Sequence, residues 1–207
     1  MATFCWLLLF SSTLIWSGIN PKDTFTWSLE VAPAVIALII LALSRRRFPL
    51  TPLLYGLILA HSVILMIGGH YTYAEVPAFD WLAEQFDWQR NHYDKLGHFA
   101  QGFIPAMLAR ELLLRHQVIN KTSWLSSIIV LICLGISALY ELIEWWVAEL
   151  SGEDAEAFLG TQGYVWDTQS DMAMAMIGAV VALMSLGRLH QRQLKLIHPG
   201  DSQPTAT

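Results

Sequence analysis

Charge is scarce in this chain. Asp, Glu, Lys and Arg supply 14% of its 207 residues, against roughly 25% in a soluble domain. Hydrophobic residues supply 55%, and the mean hydropathy is +0.45. Lipid must therefore solvate much of the folded surface. Positive charge is scarcer still: 12 Lys and Arg against 17 Asp and Glu leave a net charge of -5. That balance argues against nucleic acid, whose binding rests on a basic patch. Cysteine is nearly missing. Cys5 and Cys133 both sit in apolar runs, which excludes a disulfide framework or a zinc motif and leaves packed thiols. Familiar nucleophile and nucleotide motifs are absent too. There is no Gly-x-Ser-x-Gly, no His-Glu-x-x-His and no P-loop.

Long apolar runs are what the sequence does have. A spanning helix needs about 20 mostly apolar residues. Six such runs are expected, near residues 2–19, 27–44, 50–69, 93–115, 124–150 and 167–189. They predict an all-α polytopic membrane helix bundle in a single integral domain over residues 1–189, with a cytoplasmic tail at 190–207. The first run has no Lys or Arg before it and no small-x-small site after it, so it reads as a retained helix rather than a secretory signal. Between the third and fourth runs, residues 70–91 are rich in aromatic and acidic side chains. Rings such as Trp81, Phe86 and Trp88 suit the membrane interface.

Basic residues at Arg45–Arg47, Arg115–Lys121 and Arg188–Lys195 fall on one side of a six-helix arrangement. The acidic residues Asp80, Glu84, Asp87, Glu153, Asp154 and Glu156 fall on the other. Lys and Arg favour the cytoplasmic side. Both termini are therefore expected in the cytoplasm of a bacterial inner-membrane protein, with the acidic loops outside.

Ionisable groups inside spanning helices cost about 2.5–3.5 kcal/mol each at the helix centre and so demand a reason. Helix 93–115 opens with Tyr93-Asp94-Lys95-Leu96-Gly97-His98-Phe99-Ala100-Gln101. Asp94, His98 and Gln101 lie at i, i+4 and i+7, on one face. An Asp and a His one turn apart can ligate a metal or orient a general base. A cap and a satisfied core histidine explain them as well. Helix 124–150 carries Tyr140-Glu141-Leu142-Ile143-Glu144-Trp145-Trp146. Glu141 and Glu144 share a face, with Glu141 roughly 4.5 Å deeper at 1.5 Å per residue. Two such carboxylates repel unless a cation or a proton intervenes, and Lys95 is the nearest cation by depth. A plain interhelical ion pair is the alternative.

Before the last helix stands Gly160-Thr161-Gln162-Gly163-Tyr164-Val165-Trp166-Asp167-Thr168-Gln169-Ser170-Asp171-Met172. Asp167 can cap the helix, but Asp171, one turn inside, needs another reason. Gln162, Trp166 and Gln169 are candidates to line a polar-aromatic pocket. Glu111 and Arg115 are spaced for an i,i+4 ion pair at the far end. His70 either joins the outer cluster or ends its helix. Gly178 and Ala182 form a small-residue packing face.

In the six-helix arrangement, Asp94 with His98, Glu141 with Glu144, and Asp167 with Asp171 all lie at the outer ends of their helices. Short connections favour neighbouring helices, so one shared site is expected. The candidate ligands are Asp94, His98, Glu141, Glu144, Asp167 and Asp171, and they suit Mg²⁺, Mn²⁺, Ca²⁺ or Zn²⁺. His98, Glu141 and Glu144 are the candidate catalytic groups. Asp94, Lys95, Gln101, Gln162, Trp166 and Gln169 are the candidate binding groups.

At these same residues the chain resembles the YjdF family of bacterial inner-membrane proteins over essentially its whole length. The resemblance rests on Asp94-Lys95-Leu96-Gly97-His98-Phe99, on Tyr140-Glu141-Leu142-Ile143-Glu144-Trp145, and on Gly160-Thr161-Gln162-Gly163 through Trp166-Asp167-Thr168-Gln169 to Asp171-Met172. It implies location and brings no mechanism. A partial similarity to VanZ-like membrane proteins covers Asp94, Lys95 and His98, then Glu141 or Glu144, then Asp171 with Gly178-Ala179. The VanZ-like pattern usually also has a Gln after its Glu and an Arg before its last Asp. This chain has Glu144 and no Arg in Ser151–Asp171. The similarity implies envelope lipid or glycan chemistry by analogy only.

Three function classes stay open: a membrane-embedded, metal-dependent enzyme on an envelope lipid or lipid-linked substrate, an ion- or proton-coupled transporter, and a non-catalytic binding or scaffold protein. Membrane lipid is the expected partner in each.

Overall fold

The computed structural model describes residues 2–119, 122–151 and 162–197. Glu153, Asp154, Glu156, Gly160, Thr161, Lys121 and the tail beyond Ile197 lie outside the described residues. The described residues form α1 (Ala2–Ser17), α2 (Thr24–Ser44), α3 (Pro52–Tyr71), α4 (Pro77–Phe86), α5 (Tyr93–Arg115), a 3-10 turn (Thr122–Trp124), α6 (Leu125–Ser151) and α7 (Asp167–Ile197). The all-α expectation holds. The fourth, fifth and sixth expected spans are α5, α6 and α7.

Among the described residues, four helices are long and apolar enough to cross a membrane: α2, α3, α6 and α7. The other two expected spans depart from that standard for separate reasons. α1 has 16 residues and reaches about 24 Å at 1.5 Å per residue, short of a hydrocarbon core of about 30 Å. α5 has 23 residues but carries Asp94, Lys95, His98, Arg110, Glu111 and Arg115. It is the inner helix of the bundle and packs against α3, α6 and α7, so protein rather than lipid meets most of its polar face.

Two further features concern the connections. Within the aromatic segment 70–91, residues 77–86 are helical. Pro77 stands in the first turn with Asp80, a pattern that starts helices. α7 also runs on to Ile197, so residues 190–197 are not tail. His190 and Leu194 are fully buried there.

α5 and α7 meet backbone to backbone. A Cβ on Gly102 would stand 1.7 Å from the Ala175 carbonyl oxygen, and one on Gly178 would stand 2.1 Å from that of Phe99. Small residues allow this approach between membrane helices, and Gly178 and Ala182 lie on the packing face as expected. The core around them holds Leu54, Ala100, Ile104, Met107, Ile129, Cys133, Ala179 and Ala182.

This apolar layer separates two polar ends. At the Arg45–Arg47 end, fully buried Glu111 accepts from the Thr51 hydroxyl at 2.8 Å, Arg115 at 3.1 Å and His190 Nε2 at 2.9 Å. Arg110 donates to His190 Nδ1 at 2.7 Å. That donor fixes the histidine proton on Nε2. The expected Glu111–Arg115 pair is present, inside a larger network that ties α3, α5 and α7 together.

Candidate functional site

The opposite end is built from the first turns of α5 and α7, the last turns of α6, and α2. Asn91 sets the entry to α5. Its side-chain oxygen accepts from the Tyr93 amide at 3.0 Å, and its amide nitrogen donates to the Val76 carbonyl at 3.0 Å and Asp80 at 2.7 Å. Gln162 then binds the Asn91 backbone twice, at 3.0 and 2.9 Å. This double bond stitches the chain before α7 onto the start of α5. Gln162 thus positions the site's frame and does not line its centre.

With the frame set, Asp94 and Asp171 face each other across α5 and α7, with His98 between them. His98 Nε2 stands 3.3 Å from Asp94 Oδ1, 3.8 Å from Asp171 Oδ1 and 3.8 Å from Glu141 Oε1. Gln101 Oε1 lies 3.1 Å from His98 Nδ1. An acceptor there holds a proton on Nδ1 and aims Nε2 at the carboxylates, the outer-shell arrangement that prepares an imidazole as a metal ligand. Asp94, His98 and Asp171 each offer a ligand atom, all within 4.8 Å of one another. His98, Glu141 and Asp171 are buried. Among the described residues, Glu141 Oε1 is buried without a hydrogen-bond partner. A buried carboxylate oxygen in that state is costly unless a ligand or a proton meets it.

Lys95 does not serve the glutamate pair. Its Nζ stands 2.5 Å from Asp171, 2.7 Å from Asp167 and 3.4 Å from Asp94. Direction explains the difference: Lys95 follows Asp94 around α5 toward α7, while α6 lies on the far side of His98. Asp167 also takes Arg90 Nη1 at 2.9 Å, so its side chain is an ion-pair hub where a helix cap was expected. The Arg90 guanidinium covers the Tyr164 ring at 4.4 Å. An arginine thus reaches the last helix's first Asp from a different segment. At the mouth, burial and the cations Arg90 and Lys95 hold the His92 imidazole below its ordinary value.

Several residues escaped sequence reasoning. Glu30 of α2 is buried and accepts from the Tyr140 hydroxyl at 3.1 Å. Tyr73 also hydrogen-bonds it, and Asp94 lies within electrostatic reach. A lone acid in an apolar span was the available signal. Arg90, Asn91 and Tyr73 come from the connection between α3 and α5 and carried none. Tyr140 meets the His98 ring edge-on, centroids 6.4 Å apart. Glu144 interacts electrostatically with His98 and Glu141.

Other expected members stand apart. Trp166 and Gln169 are exposed, apart from the buried cluster. Trp145 and Trp146 are also exposed. His70 joins nothing here. Its Nδ1 lies 2.9 Å from the Ser17 carbonyl, and its ring packs on Trp16 and Tyr71.

Charge at this end is unbalanced. Glu30, Asp94, Glu141, Glu144, Asp167 and Asp171 gather around Arg90, Lys95 and His98 among the described residues. Six carboxyl groups exceed three cations even with His98 charged. Protons or a further cation must make up the rest.

A model of the predicted membrane proteins of DUF2238 matches residues 2–192. The chain belongs to this family. DUF2238 membership and the apolar helices together make it a multi-pass membrane protein, and they indicate no specific activity. Among curated proteins it is similar to the inner membrane protein YjdF of Escherichia coli strain K12, at 50% identity over 182 residues, covering 88% of this chain and 87% of that protein. The expected YjdF-family resemblance is thereby shown for this DUF2238 chain. No solved structure matches.

Proposed function

We propose that this end holds a divalent cation and that the protein is a membrane-embedded enzyme acting on an envelope lipid or lipid-linked substrate at the periplasmic leaflet of the inner membrane. The observation that carries the reading is the Asp94–His98–Asp171 group at metal-ligand spacing, beside a buried Glu141 oxygen that has no hydrogen-bond partner among the described residues. In this reading Asp94, His98 and Asp171 hold the ion, and Gln101 orients His98. An imidazole that ligates through Nε2 cannot also take a proton there. Glu141 is then the better general base, and Glu144 sets the local field. The ion would polarise a substrate oxygen or a bound water.

The inner-membrane location follows the relative's name, and the orientation follows the basic Arg45–Arg47 and Arg110–Arg115 end, which favours the cytoplasm. A transport reading is less favoured. Between Gln101 and Arg110, α5 buries only Gly102, Ile104, Ala106 and Met107, a stretch of about 13 Å without a polar step. α7 opposes it with Ala175, Gly178, Ala179 and Ala182.

The test is to incubate the purified protein with an inner-membrane lipid extract and follow the lipids by mass spectrometry. A lipid species that changes with Mg²⁺ or Mn²⁺, and fails to change with chelator or with Glu141→Gln, supports the reading. An unchanged lipid profile under all divalent ions tested contradicts it.

A further inference from the structure

The Arg45–Arg47 end holds a cation that its surroundings do not neutralise. Arg110 of α5 donates to His190 Nδ1 at 2.7 Å and to Gln191 Oε1 at 2.8 Å. Both acceptors are neutral, since His190 keeps its proton on Nε2, toward Glu111. Glu111 is the only carboxylate at this end among the described residues, and Arg115 pairs with it at 3.1 Å. A half-buried guanidinium with neutral acceptors alone calls for an anion. Its contacts to His190 and Gln191 leave further N–H groups to donate.

α7 brings more positive charge beside Arg110. Arg188, Gln191 and Lys195 lie at i, i+3 and i+7, on one face. Gln191 is the residue that Arg110 meets, so Arg188 and Lys195 stand about one turn to either side of that contact. Both are exposed, and neither makes an ion pair among the described residues. The Leu53 amide donates to Gln193 Oε1 at 2.9 Å and holds these turns of α7 against the bundle.

Depth puts this face at the level of lipid headgroups. From Tyr93 to Arg110, α5 advances about 26 Å at 1.5 Å per residue, close to a hydrocarbon core of about 30 Å. α7 has 31 residues and reaches about 46 Å, so its last turns leave the hydrocarbon. Toward the membrane centre the same α7 face continues as Met184, Val181 and Ile177, all exposed and apolar. One helix face thus runs from an exposed apolar stripe into a basic one.

We propose that Arg110, Arg188 and Lys195 form a site for an anionic phospholipid of the leaflet at this end, its phosphate at the arginines and an acyl chain along Met184, Val181 and Ile177. Guanidinium groups grip phosphate oxygens in pairs. Clustered cations favour a headgroup of net negative charge over a zwitterionic one. The apolar stripe favours a lipid over a free anion. The site stands at the opposite end from Asp94, His98 and Asp171 and does not depend on what that group holds.

The test uses the full chain in phosphatidylcholine vesicles with trace spin-labelled phosphatidylglycerol or spin-labelled phosphatidylcholine. The motionally restricted fraction of each label, read by electron spin resonance, gives their relative affinity. The native chain should prefer phosphatidylglycerol about tenfold, and Arg188→Gln should lower that preference about fivefold, the weight of one cation beside an anionic headgroup. Arg110→Gln should lower it likewise, since its amide can still donate to His190 but carries no charge. Arg46→Gln, at an exposed position outside the site, should match the native chain. The restricted fraction of the phosphatidylcholine label reports an intact bundle in each variant. Inorganic phosphate, added at fixed ionic strength, should leave the phosphatidylglycerol label in place. Displacement of the label by inorganic phosphate overturns the lipid as occupant. Equal affinity for the two labels, an unchanged preference in Arg188→Gln, or the same loss in Arg46→Gln overturns the site itself.

Discussion

Replacement of Gly102 by alanine should damage both the bundle and the site. The added methyl would stand 1.7 Å from the Ala175 carbonyl oxygen, 2.5 Å from its carbonyl carbon and 2.8 Å from its Cα, where ordinary contact begins near 3.4 Å. All three are backbone atoms, so no rotamer change relieves them. α5 and α7 must separate by roughly 1.5 Å at this point. Overpacking typically costs about 1–3 kcal/mol, and a backbone clash belongs at the upper end of that range. The site suffers as well, because its ligands come from both helices: Asp94 and His98 from α5, Asp171 from α7. Metal and catalytic groups tolerate displacements of only about 0.5 Å. Divalent-ion affinity should therefore fall about tenfold or more. The assay is denaturant or thermal unfolding in nanodiscs, paired with Mn²⁺ titration. Gly135→Ala is the control, since nothing lies within 4 Å of its added methyl, and it should match the native chain. Native stability and native Mn²⁺ affinity for Gly102→Ala would refute the close α5–α7 packing and its link to the site.

Other outcomes follow from the same geometry. Glu111→Ala strands the buried His190 and Arg115 donors, and unfolding measurements should show a loss of about 3–5 kcal/mol with little change in ion affinity, because the two polar ends are separate. Tyr140→Phe removes one hydrogen bond to buried Glu30 and should cost about 1 kcal/mol in the same assay. For orientation, a cysteine at Glu84 should react with a membrane-impermeant maleimide added to whole cells, while one at Arg46 should react only after lysis. The reverse labelling pattern would invert the assignment of the site to the periplasmic side.

The helical bundle was legible because lipid imposes it. Apolar runs near 20 residues have few other uses, and α2, α3, α6 and α7 announce themselves. The Asp94–His98–Gln101 face was legible because helical periodicity alone aligns it. Asp171 and Glu141 were legible because burying a carboxylate in an apolar helix needs a reason. What the sequence could not show was pairing across helices. Lys95 reaches Asp167 and Asp171 rather than the glutamates because of the side on which it leaves α5. Arg90 and Asn91 act from a connection where no periodicity places them. His190 meets Glu111 from 79 positions away, in a stretch whose polarity reads as tail. Glu30 was legible in principle, as the sole acid of α2, and its partner Tyr140 was hidden by the ordinary place of tyrosine in a membrane helix.

The most direct test of the cation centre is electron spin-echo spectroscopy of Mn²⁺ bound to the purified full-length protein. One Mn²⁺ per chain with a nitrogen modulation from a directly ligated imidazole, absent in His98→Ala and retained in His190→Gln, is the result expected from the Asp94–His98–Asp171 geometry. Binding without any nitrogen modulation, or a modulation that survives in His98→Ala, would contradict it.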